Sequence, residues 1–78
     1  DMQIKEYVLK KKDEILQNLM DADCSQEIIE QFMKNIEEDN ENQALKILEK
    51  HRKTLLDRVH KDEKYINCLD YLLYSLKL

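Results

Sequence analysis

The chain of 78 residues has no glycine, no proline and no tryptophan, and a single phenylalanine. Without Gly and Pro, most hairpin and tight-turn chemistry is missing. Strands would have few ways to reverse, so all-α is the one fold class with good support. Cysteine is scarce as well. Cys24 and Cys68 are far apart and form no CxxC motif. One disulfide is sparse for a small secreted scaffold, so both are expected to be reduced thiols in a cytoplasmic protein. No apolar run approaches the roughly 18 residues a membrane span requires. Asp1 is expected to be a remnant of expression ahead of a native start at Met2, and Gln3 to Lys12 is too charged for a signal peptide.

What is present is a mixture of apolar and charged residues, 42% and 38% of the chain. The first proportion excludes wholesale disorder, and the second leaves only a narrow apolar face on each helix. The length makes one domain, near the size at which a lone core is marginal. The net charge of −4 hides a division. Residues 21–41 carry eight acids against Lys34 alone, whereas residues 46–64 carry seven bases against four acids. The simplest arrangement packs the acidic segment beside the basic one.

Three helices are predicted, over residues 3–20, 24–37 and 41–77, in a single helical domain spanning 1–78. Ile4, Val8, Ile15 and Leu19 share one face of the first. The charged run Lys10 to Glu14 interrupts that stripe and is expected to be a solvated turn of helix, with lysine stems along the core edge. Asp23 and Ser25 are both good N-caps for the second helix, and Gln26 three residues after Asp23 fits a capping box. Ile29, Phe32, Met33 and Ile36 follow at i, i+3, i+4, i+7, with Phe32 as the expected core anchor. Glu37, Glu38 and Asp39 suit the start of the third helix better than the end of the second, because acids favour helix N-termini. Asn40 with Gln43 again fits a capping box.

From Leu45 a heptad stripe runs through Leu48, Arg52, Leu55, Val59, Asp62, Ile66, Leu69, Leu73 and Leu76. A helix of that length would span roughly 57 Å, while a compact domain of this size has a radius of gyration of about 11–12 Å. The helix overshoots any globule the chain could form alone, so a homo-oligomer is expected. With Leu45 at heptad position a, Arg52 falls at a and Asp62 at d, two opposite charges in an otherwise apolar seam. Reversing the helix about Asp57 pairs Leu45 with Leu69, Leu48 with Ile66, Leu55 with Val59, and Arg52 with Asp62. The pattern fits an antiparallel, coiled-coil-like homodimer with a two-fold axis near Asp57. The expected interface is Leu45, Leu48, Arg52, Leu55, Leu56, Val59, Asp62, Ile66 and Leu69. Against this register, Glu49 and Glu63 approach one another, and Arg58 approaches its own copy. Ala44, Ile47, Leu56, Tyr65 and Leu72 also widen the stripe, which suits contact with more than one helix; a dimer or tetramer in another register, and an extended monomer in which the first two helices cover the third, are the alternatives.

Catalytic and metal chemistry find little here. His51 and His60 lie about 180° apart on a helix and cannot share a metal within one chain. Asp57, His60 and Glu63 share a face, without the tight clusters of real sites. Both histidines are expected to be solvated or salt-bridged. No Ser–His–Asp or Cys–His set can be assembled. Cys68 is expected to be a packed thiol and Cys24, in a turn, a more accessible one. No catalytic residue, cofactor or metal is expected. The cluster of Tyr65, Tyr71 and Tyr74 with the C-terminal leucines is expected to be the amphipathic end of the helix, with a partner-docking patch as the alternative because Tyr71 and Leu78 fall at outward positions.

The segment His51-Arg52 to Leu55-Leu56-Asp57 and His60, followed by Ile66 and Cys68-Leu69-Asp70-Tyr71-Leu72, resembles a pattern of small uncharacterised bacterial helical proteins. The same stretch is similar, more loosely, to the dimerisation helix of MerR-type transcription regulators. That resemblance implies an antiparallel two-helix dimer, without the DNA-binding domain of those regulators. Leu69-Asp70-Tyr71-Leu72-Leu73 is similar to part of the small two-helix inhibitors of sporulation phosphorelay proteins.

These observations point to a non-catalytic, homo-oligomeric helical module for protein–protein interaction, an adaptor or accessory regulator whose partners are itself and another protein. A nucleic-acid-associated accessory factor using Lys46, Lys50, Lys53, Lys61 and Lys64 is the alternative, disfavoured by the mixed charge of that stretch. A metal or thiol sensor is a third.

Overall fold

The computed structural model describes residues 3–77, so expectations placed on Met2 and Leu78 lie outside the described residues. The chain is all-helical, with α1 (Ile4–Lys10), α2 (Lys12–Asp21), α3 (Gln26–Glu37) and α4 (Glu41–Lys77). The first predicted helix is in fact two. Lys11 adopts φ −112° and ψ 35°, off the helical values. Its ammonium sits 5.8 Å from the Tyr7 ring centroid, and its Nζ is 3.8 Å from Glu14. The bend lets Val8 and Leu19, one from each piece, enter the same core.

That core is small. Val8, Leu19, Ile29, Phe32, Met33, Ile36 and Ala44 are buried, with Ile4, Ile15, Leu16, Cys24 and Leu48 packed around them. The four apolar residues of α3 all turn inward, as their spacing requires, and α3 packs chiefly on α4. Ile36 and Ala44 have no exposed surface at all. A small side chain at 44 lets the backbones of α3 and α4 approach closely.

Both turns end in Schellman motifs built without glycine. Asp23 (φ 61°) and Asp39 (φ 62°) take the left-handed position, which Asp tolerates better than most residues. The bonds Cys24 N–H to Leu19 O and Asp23 N–H to Met20 O close the first turn. Asn40 N–H to Asn35 O and Asp39 N–H to Ile36 O close the second. Asp23 is therefore a helix terminator, not the expected N-cap. Ser25 is the cap, its hydroxyl accepting from Ile28 N–H at 3.2 Å. Gln26 bonds Glu30 in place of a capping-box partner.

Glu37, Glu38 and Asp39 close α3, contrary to the expectation that they open the next helix. Acids at a helix C-terminus are unfavourable. Lys5 of α1 compensates: its ammonium donates to Glu37 O and Asp39 Oδ1, both at 3.1 Å. In return Glu41 Oε1 accepts from the Lys5 backbone N–H at 3.3 Å, capping an α1 terminus that has no side-chain cap of its own. This exchange ties α1 to the α3–α4 turn.

Phe32→Ala should cost about 3–5 kcal/mol, as truncating a core aromatic does. Urea denaturation checks this, and a loss below about 1 kcal/mol would make α3 peripheral to stability. Ser25→Ala should cost about 1 kcal/mol through the lost cap.

Candidate interaction surface

Two faces of α4 have different fates. Within the first four turns, Glu41, Ala44, Ile47, Leu48, His51 and Leu55 are buried or half-buried against α1–α3. This head-facing set recurs at i, i+3, i+4, i+7, the spacing of one helix face. Beyond Leu55 every described residue of α4, from 56 to 77, is exposed. Those 22 residues form a helical arm of about 33 Å. It gives the molecule extents of 61 × 26 × 21 Å and a radius of gyration of 18.8 Å, well above the 11–12 Å or so of a compact chain of this length.

The arm is not polar. Leu56, Val59, Ile66, Leu69, Leu72, Leu73 and Leu76 keep between 42% and 73% of their surface in water. Tyr65, Tyr71 and Tyr74 keep between 64% and 74%. Single exposed apolar residues are ordinary, whereas a row of this length along one helix is not.

The expected interface residues lie along one ridge rather than in a pocket. Leu45, Arg52, Leu56, Val59, Asp62, Ile66 and Leu69 are exposed, while Leu48 and Leu55 are already half-covered by the chain's own head. Part of each of these d-position side chains is therefore spent on the head, a division that the heptad pattern alone did not separate. Ala44 and Ile47, noted in the sequence only as a widening of the stripe, belong to the head contact. Arg52 has no ion pair here and neither has Asp62, among the described residues.

His51 departs from the solvated role expected of it. It is half-buried, with Nε2 2.8 Å from Ala22 O at the end of α2. One of the orphan carbonyls at that helix end is satisfied from α4. Two turns further along α4, the Arg58 guanidinium lies 3.7 Å from Asp23, so the α2–α3 turn is held to α4 at two points. The Asp23–Arg58 contact is one instance of the acidic segment meeting the basic one. It is exposed and worth no more than about 1 kcal/mol in the single chain. On another side of the contact, an open groove between α3 and α4 is lined by Ser25, Ile28, Gln31, Lys50, His51 and Thr54. Its mixed, shallow lining carries no chemistry that singles out a ligand.

The thiols exchange their expected places. Cys24 packs against the core, and burial together with the neighbouring Asp23 charge raises its pKa above the ordinary thiol value. Cys68 is exposed, because the arm has nothing beside it. Among the described residues, no three His, Cys, Asp or Glu side chains converge as metal ligands would, and no helix is long and apolar enough to cross a membrane. The chain matches no protein-family model, no curated protein and no solved structure.

Cys68 should react first with a thiol-alkylating reagent. A raised pKa leaves less thiolate at Cys24, and its packing against the core limits access, so Cys24 should lag behind Cys68. Mass mapping of alkylated peptides over time checks the order.

Proposed function

We propose that this chain is a non-catalytic homo-oligomeric module that associates through α4, as an antiparallel dimer about an axis at Asp57. The observation that carries the reading is the bare apolar row along the α4 arm. In water those side chains gain by burial, at roughly 25 cal/mol per Å² of apolar area, and the small head is fully engaged elsewhere. The pairing overlaps residues 45–69 of each chain. That overlap is about 36 Å of helix, with the nine interface residues of each chain spaced along it.

Charge selects the register and the direction. A parallel pairing would set Arg52 against Arg52 and Asp62 against Asp62 in the seam. The antiparallel pairing sets each Arg52 against Asp62 of the second copy and leaves every other layer from 45 to 69 apolar. Polar seam residues are well known as register markers. As a two-fold interface it closes on itself and does not run on into fibres. The head then acts as a clamp that keeps α4 straight and fixes where the seam begins. Such a dimer offers its solvent-facing sides and its two ends to a further protein, as an adaptor or accessory regulator does.

The full chain should sediment as a dimer at high micromolar concentration; monomers there would remove the proposal. Arg52→Leu or Asp62→Leu alone should weaken the dimer, by up to about 3–5 kcal/mol where the stranded charge is buried. The double Leu variant should recover most of that loss. A double-variant loss equal to the sum of the two singles would show that the residues do not touch.

A further inference from the structure

The two faces of α4 fix where the head sits in such a dimer. At 100° per residue, the head-facing set Ala44, Ile47, Leu48, His51 and Leu55 centres on heptad position g. The seam positions beside it, Leu45, Leu48, Arg52 and Leu55, centre about 65° away on the same helix. A second helix lying in the seam therefore runs alongside the head and not on the far side of α4. Antiparallel pairing also brings the two g edges together on one side of the helix pair, with the two e edges on the other. Along the g side, His51 meets Tyr65 of the second copy, the head that covers Ala44 meets its Leu72, and Arg58 meets its own equivalent.

We infer that the dimer interface is not the α4 seam alone: the arm of each chain docks through Tyr65 and Leu72 against the head of the other. The inference rests on the antiparallel reading and adds the occupant of the arm's g edge. Three observations support it. Tyr65 is 64% and Leu72 50% exposed in the single chain, although both lie beyond the strict a/d seam. Both neighbour, in this register, the part of α4 that the head covers. Tyr65 arrives beside His51, whose ring meets Ala22 O at 2.8 Å, so its docking point is the α2–α3 turn. The like-charge approach of the two Arg58 residues at the axis also finds its counter-charge. Each head brings Asp23 within 3.7 Å of its own Arg58. The axis then holds two arginines and two aspartates, not two bare cations. On the e side nothing comparable intervenes, and Glu49 stays in solvent near Glu63 of the second copy.

A thiol cross-link tests the contact directly. Within one chain, residue 65 lies roughly 21 Å along α4 from His51, the residue that holds the α2–α3 turn. A bis-maleimide of about 8 Å cannot bridge 22 and 65 there, nor in a parallel dimer, where residue 65 of the second copy sits beside residue 65 of the first. Ala22→Cys with Tyr65→Cys, in a Cys24→Ala, Cys68→Ser background used for every cross-linking variant, should cross-link into a covalent dimer. Ala22→Cys with Tyr71→Cys, on the outward edge, should not. In parallel, Tyr65→Ala with Leu72→Ala should raise the dimer Kd about 100-fold, as loss of two interface anchors does. Tyr71→Ala with Tyr74→Ala, pointing away from the seam, should change it less than about threefold. Retained helical circular dichroism certifies each variant. A dimeric full chain that gives no 22–65 cross-link, or whose Kd ignores Tyr65 and Leu72, overturns this inference and leaves the seam proposal standing. A monomeric full chain removes the seam proposal itself.

Discussion

The contact between α3 and the first four turns of α4 governs everything else in this molecule. Ile29, Phe32, Met33 and Ile36 give α3 one apolar face, and it is spent on Ala44, Ile47, Leu48 and the ends of α1 and α2. α3 has only 12 residues against the 37 of α4. Three turns of helix cannot cover ten, so the arm from 56 onward is left bare whatever its own sequence. The head's size sets the length of arm. The arm's composition then sets what it needs from a partner.

Local economy shows in how the head closes without glycine. Two left-handed aspartates end α2 and α3, a position that costs an L-residue roughly 1–2 kcal/mol. Each aspartate also carries a charge that glycine would lack. Asp39 takes Lys5 and Asp23 takes Arg58. Both turns are thereby pinned to another helix, which a bare glycine turn would not do. The acids that close α3 against its own dipole are tolerated because Lys5 reaches their end of the helix.

The same division bears on the proposed dimer. Leu48 and Leu55 are half-covered by the head and half-available to a second helix, so head packing and association are coupled through shared side chains. Loosening the head should free them and blur the register; a second copy should in turn tighten the head. Stability and oligomeric state would then rise and fall together with concentration, as linkage requires.

The sequence by itself determined the all-α class, the inward face of α3, and a long uninterrupted helix with an apolar stripe. Each follows from periodicity and from the absence of residues that break helices, and both are local properties. The end of α3 at Glu37 and the bounds of α4 from Glu41 to Lys77 were legible for the same reason, whereas the start of α3 was expected two residues too early, at Cys24. Tertiary structure alone decided the rest. The bend at Lys11 brings Val8 and Leu19, one from each piece, into the same core. The choice between Asp23 and Ser25 as cap was made by a Schellman turn that depends on where α2 stops. Lys5 answering the acids of α3 spans more than thirty residues of sequence. So too the ridge of α4 was readable as one wide stripe, but its partition into a head face and a bare face was not. Periodicity records that a side chain is apolar; only the placement of α1–α3 determines which of those side chains the chain itself can cover.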